Sequence, residues 1–241
     1  ETSRILQDLT SQNAFVTRLP DSKNYRFHHM MKECATRKFH TLPEASQTAY
    51  WNRFGDWYGA HGQYLHALDA YRMSANNDAA LAIIEKDAGN LLSAIAPEDL
   101  LSRLDACPAE VLMRHPTALL VLMRRLFTWR QIPKMLQMKE LLTRAIAESP
   151  DMTADERGNL LGECDLIMSF LSYNDITEMS RLHRSASRQM TRPAVTIQAG
   201  SWTFGSPSVL MMYYRAPGEL QKELHVMTAP MPHYYRITHR H

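Results

Sequence analysis

The chain has 241 residues, 45% of them hydrophobic, which is enough for one large domain, or a small and a larger one, with a sizeable buried core. Its 27 Lys and Arg against 25 Asp and Glu leave a net charge of +2, which argues against nucleic-acid or membrane binding by bulk electrostatics. Cys34, Cys107 and Cys164 are odd in number and widely separated, so they read as reduced thiols of a cytoplasmic protein rather than as a disulfide frame.

Nothing at the start of the chain resembles a signal peptide. A first helix is expected around residues 3 to 13. Two short strands, AFVTRL at 14 to 19 and NYRFHH at 24 to 29, follow around the turn signal PDSK. Helix, hairpin and helix in succession suggest part of a winged-helix domain over residues 1 to 42. Strand alternation would aim Tyr25, Phe27 and His29 at the core and Arg26 and His28 outward. It would also separate the two adjacent histidines, so one metal ion could not easily use both, and no further ligand stands at suitable spacing. A nucleophilic dyad with Cys34 is conceivable, but Cys34 falls on the apolar side of its helix with Met30, Met31 and Ala35, which favours inert packing. From the residues alone, His29 opens a helix and His28 is a surface histidine.

The segment WNRFGDWYGAHGQYLHALDAYRMSA places Trp51, Phe54, Gly55, Tyr58, Gly62, Ala67, Tyr71 and Ser74 at the spacing of a tetratricopeptide-type repeat. Small Gly55 and Ala67 would let two antiparallel helices approach while Trp51, Phe54, Tyr58 and Tyr71 fill the seam. Amphipathic helices are expected over 78–95, 98–107, 117–129, 133–149 and 154–173, separated by short turn signals. The longest apolar run, ALLVLM at 118 to 123, is far below the roughly 18 residues of a membrane span. Short links between amphipathic helices imply stacked antiparallel pairs, so the fold class is mainly α, with a helical solenoid over 43–190. Met113, Met123, Met135 and Met138 read as core filler.

Residues 191–241 begin with an irregular stretch, TRPAVTIQAGSWTFGSPS, and continue with a further helical segment. Trp202, Phe204, Tyr213, Tyr214 and Arg215 there are candidates for holding an inducer or a protein partner, with Tyr234, Tyr235 and Arg236 nearby in sequence. The competing reading, that these aromatics pack the segment onto the helices, is favoured. No nucleophile, metal set or carboxylate pair stands out, so no catalytic residue is assigned and an enzyme is the third choice.

Taken together, NAFVTRLPDSKNYRFHHMMKE and YWNRFGDWYGAHGQYLHALDAYRMSANNDAALAIIEK resemble the middle of the MalT-like, LuxR-type ATP-dependent transcriptional regulators of bacteria, which are signal-transduction ATPases with numerous domains. Asn13, Phe15, Leu19, Tyr25, Arg26, Phe27 and His28 match the first block of that pattern, and Trp57, Gly62, Ala67 and Ala70 the second. Met30 and Met31 depart from the usual leucine and phenylalanine. TFGSPSVLMMYYRAPGEL is also similar to a stretch in one branch of these regulators.

The resemblance implies a fragment: the end of a winged-helix domain and part of a helical-repeat sensor. It further implies that His28, with Arg26 beside it, senses the phosphates of ADP bound by a nucleotide-binding domain elsewhere in the parent protein. ATP or ADP would be the parent's cofactor, with none held by this chain, which has no G-x-x-x-x-G-K-[ST] loop. DNA would be contacted only through a missing C-terminal domain. A small-molecule inducer or regulatory protein would be the partner, with inducer-dependent self-association of the parent. The alternative is a helical-repeat scaffold for protein partners without nucleotide control.

Overall fold

The computed structural model describes residues 2–12, 14–20, 25–172, 175–197 and 217–238. Helix α1 (Thr2–Ser11) leads into strands β1 (Val16–Arg18) and β2 (Tyr25–Phe27), which pair antiparallel with Val16 opposite Phe27. Helix α2 (His29–His40) follows directly. The expected order of elements is present, but the expected packing is not. Phe27 is 46% exposed and Met30 53%, Cys34 and Ala35 are exposed, and α2 buries no residue. Val16 alone among the strand residues is buried. The reason is physical: an apolar stripe is buried only when a second layer lies against it, and the described residues supply none here.

Helices α3 (Glu44–Ala60) and α4 (Tyr64–Met73) form a hairpin around Gly62, whose φ of 72° suits the turn. Asn52 meets Ser74, Asp56 meets Tyr71 and Gly59 meets Ala67, so residue numbers rise on one helix as they fall on the other. The pair is therefore antiparallel. A Cβ on Gly55 would lie 2.5 Å from the Tyr71 ring, which explains the glycine at this crossing. Ala67 and Tyr71 are buried, whereas Phe54 is 43% exposed on the outer side of α3 and does not fill the seam.

Beyond it come α5 (Asn77–Lys86), a 3-10 turn (Asn90–Ala94), α6 (Pro97–Ala106), α7 (Ala109–Met113), α8 (Pro116–Thr128) and α9 (Ile132–Glu148). The chain continues through α10 (Ala154–Ser169), a 3-10 turn (Phe170–Ser172), α11 (Ile176–Gln189), α12 (Leu220–Thr228) and α13 (Met231–Ile237). The helix expected over 78–95 breaks after Lys86, where Ala88 and Gly89 take φ of 50° and 79°. Short α7 lies between the helices expected over 98–107 and 117–129 and was not itself expected. Consecutive helices pack as neighbours, α8 on α9 and α10 on α11, while α5 and α10 both lie against α8.

One apolar core runs from Ala67 to Ile167 with α8 at its centre, and a second joins α10 and α11 to α12 and α13. Of the four methionines expected as core filler, Met123, Met135 and Met138 are buried, whereas Met113 is only half-buried. No helix among the described residues is long and apolar enough to cross a membrane.

Candidate functional site

At the end of the hairpin, Arg26 and His28 are both exposed, and the backbone N–H of His28 donates to Phe15 O at 2.7 Å. His28 is the N-cap of α2: its Nδ1 accepts a long, weak hydrogen bond from the Met30 N–H at 3.4 Å. In the neutral ring that arrangement leaves Nε2–H as the donor, directed away from the backbone it caps. The rings of His28 and His29 lie 4.2 Å apart, contrary to the expected separation onto opposite faces. Strand alternation ends with Phe27, and a residue in cap geometry follows a different rule. No group of three His, Cys, Asp or Glu suited to a metal occurs among the described residues.

Trp202, Phe204, Tyr213, Tyr214 and Arg215 lie outside the described residues. Of the aromatics following them, Tyr234 is fully buried and stacks at a tilt 4.8 Å from His183. Arg236 donates to Ser187 Oγ at 3.0 Å and to Met190 O at 3.1 Å. Tyr234 and Arg236 thus fasten α13 to α11.

Two polar clusters escaped sequence reasoning. In the first, Arg114 grips Asp78 with Nε at 2.9 Å and Nη2 at 2.7 Å, His115 touches Asp78 and Glu85, and Glu85 accepts the Ala118 N–H at 3.0 Å. The Arg114 hydrogen bond holds the Asp78 carboxyl below its ordinary pKa. Glu85 satisfies a free N–H in the first turn of α8, which ties that helix to α5. In the second, fully buried Glu163 accepts the Thr196 N–H at 2.7 Å and meets Arg192 Nη1 at 3.3 Å. Burial pushes its carboxyl up in pKa, opposed by Thr196 and Arg192. Asn159 Oδ1 accepts the N–H groups of Thr191 and Arg192 at 2.9 and 3.2 Å, so the chain leaving α11 is clamped onto α10.

A cleft of about 240 Å³ opens between α8 and the turn after α5. Its polar lining is Asn90, Ser93, Arg124, Arg125, Thr128 and Thr196, with no acidic side chain among the described residues. A Cβ on Gly89 would lie 2.2 Å from Val121 Cγ1, so the left-handed glycine seats the turn directly on α8 and shapes the wall. The Arg124 guanidinium stacks on Phe170, 4.7 Å from the ring centroid, and Nη1 donates to Thr128 Oγ1 at 3.2 Å. Its Nε is buried and has no acceptor among the described residues. A buried donor left unsatisfied costs about 1–3 kcal/mol. Burial lowers the pKa of Arg124, and the neighbouring Arg125 charge lowers it further, while Tyr234 opposes both. No carboxylate pairs with either arginine among the described residues.

No family model matches this chain, and no curated protein or solved structure matches it at a significant level. The signal for the cleft in the sequence was slight: paired arginines inside an apolar helix, MRRLF, which helical periodicity counts only as a polar interruption.

Proposed function

We propose that this chain is a regulatory segment of a MalT-like, LuxR-type ATP-dependent transcriptional regulator, combining the end of a winged-helix domain with part of a helical-repeat sensor. The observation that carries the reading is the state of residues 2–40: Ile5, Phe15, Phe27 and Met30 are 53%, 58%, 46% and 53% exposed, beside an outward His28 whose Nε2–H can donate. This is half of a core, the condition expected of a winged-helix remnant whose other elements and nucleotide-binding neighbour belong to a longer parent. His28 would donate to an ADP phosphate oxygen, with Arg26 supplying positive charge alongside.

The antiparallel α3–α4 hairpin and the paired helices after it are consistent with a tetratricopeptide-like solenoid, in which each pair buries its apolar face against the next. An inducer or regulatory protein bound to that region would act by preferring the open over the nucleotide-locked state, since equal affinity shifts nothing. DNA contact and ATP binding belong in this reading to other domains of the parent, whose self-association would follow inducer binding.

The test is ADP release from the full-length parent. His28→Ala is expected to raise the ADP off-rate about tenfold, the worth of one charge-assisted hydrogen bond, and to raise basal transcriptional activity. An off-rate unchanged by the substitution would remove the proposal. A second reading, a protein-binding scaffold without nucleotide control, is favoured by Tyr50, Phe54 and Trp57, which are 41%, 43% and 52% exposed along one helix.

A further inference from the structure

We infer that the cleft between α8 and the 3-10 turn is a binding site for an oxyanion, the carboxylate or phosphate group of a small metabolite. The assignment rests on the cleft alone and stands whether or not the chain belongs to an ATP-dependent regulator.

Three observations converge on it. Arg124 and Arg125 are adjacent cations on one wall, and no acidic side chain among the described residues lines the cleft with them. Two like charges in a partly desolvated place, with no counter-charge among the described residues, attract an anion more strongly than the same pair in open water. The second is the orphaned donor: Arg124 Nε–H is buried, faces no acceptor among the described residues, and sits on a guanidinium already held in place by Phe170 below and Thr128 at one edge. A fixed guanidinium loses little freedom when it binds, and its planar fork matches the two oxygens of a carboxylate or phosphate. The third is the remaining lining. Asn90 keeps a second amide N–H beyond the one it gives to Asp87 O, and Ser93 and Thr196 add neutral polar groups to the wall.

The volume of about 240 Å³ suits a metabolite of modest size and leaves no room for a folded partner. The site also has a structural consequence. Thr196 is held by Glu163 through its N–H, and Ala194 N–H donates to Ile237 O at 2.7 Å, so a ligand spanning Arg124 and Thr196 would link α8 to the strap crossing α10 and to α13.

The test is calorimetric titration of the whole chain with glycerol phosphate and, separately, succinate, at ionic strength held constant with sodium chloride. Saturable one-to-one binding of either probe is expected, and the tighter of the two identifies the phosphate or the carboxylate source. Arg125→Gln, on the more accessible arginine, is expected to weaken that binding about tenfold, the loss of one charge-assisted contact. Arg124→Lys keeps the positive charge and removes the fork and Nε–H, and is expected to weaken binding by at least as much while the circular dichroism spectrum stays that of the parent chain. Equal heats for both probes and for chloride, or affinity untouched by both substitutions, would overturn the assignment.

Discussion

His183 lies wholly inside the joint between α10, α11 and α13, with Nε2 3.0 Å from Ser169 Oγ. The Ser169 hydroxyl gives its proton to Leu166 O at 2.6 Å, so Ser169 can only accept from the imidazole and Nε2 carries the ring proton. Burial drives the pKa of this histidine down to about 3 from an ordinary 6.5. The folded state therefore takes up the proton less readily than the unfolded chain. Its contribution to stability is complete above pH 6.5 and is lost as pH falls through the window from 6.5 to about 3. Each unit in that window costs about 1.4 kcal/mol. Melting temperature measured from pH 7.5 to pH 4.5 should fall on acidification, and His183→Gln should flatten that fall even if it lowers stability at pH 7.5. A parallel decline in both proteins would assign the acid sensitivity elsewhere. Nothing in the sequence around His183 marks it: the residue is legible only once Tyr234, 51 positions later, is seen against its ring.

At the scale of elements, the α3–α4 hairpin is the piece whose sequence signature maps most directly onto contacts. Ala is the better helix former by about 1 kcal/mol, so Gly55→Ala should stabilise α3 if the position were merely helical. The Cβ would instead strike the Tyr71 ring, and that ring is held by its hydroxyl, which donates to Asp56 Oδ1 at 2.8 Å. Burial, with help from Asp56, pushes the Tyr71 phenol up to about 12. Gly55→Ala is therefore expected to destabilise the chain by about 1–3 kcal/mol, as overpacking does, in urea unfolding followed by circular dichroism. Tyr71→Leu in the same background should recover part of the loss. A neutral or stabilising Gly55→Ala would show that α3 stands further from α4. The small residue and its large neighbour were legible because the repeat spacing pairs them. That Phe54 would face outward was not, since its repeat position is apolar in either arrangement and only a covering layer decides exposure.

For the molecule as a whole, burial is uneven along the chain. Helix α8 has seven buried residues and α2 has none. Amide groups exchange from local openings where few apolar contacts oppose them, and near the global limit where many do. Hydrogen exchange should then label α1, the hairpin and α2 within seconds to minutes, while α8 and α10 stay protected for hours at neutral pH. Equal protection of α2 and α8 would mean that residues 2–40 are covered in solution, for instance by self-association, and a shift to faster exchange on dilution would identify that cover.

The helix-hairpin-helix start, the glycine-lined α3–α4 pair and the bounds of α6, α8 and α9 were written in the residues themselves. Those features depend on local rules: turn-forming residues, backbone angles and the period of apolar positions along a few turns. Only the tertiary structure decided which apolar faces find a partner, that His28 caps a helix instead of ending a strand, that Glu163 and Asn159 clamp a strap some 30 residues away, and that Arg124 and Arg125 line a cleft without a counter-charge among the described residues. Each of these depends on groups far apart in the chain arriving at one place. Burial, charge pairing and unsatisfied donors are properties of that arrival, and no pattern of spacing along the sequence encodes them.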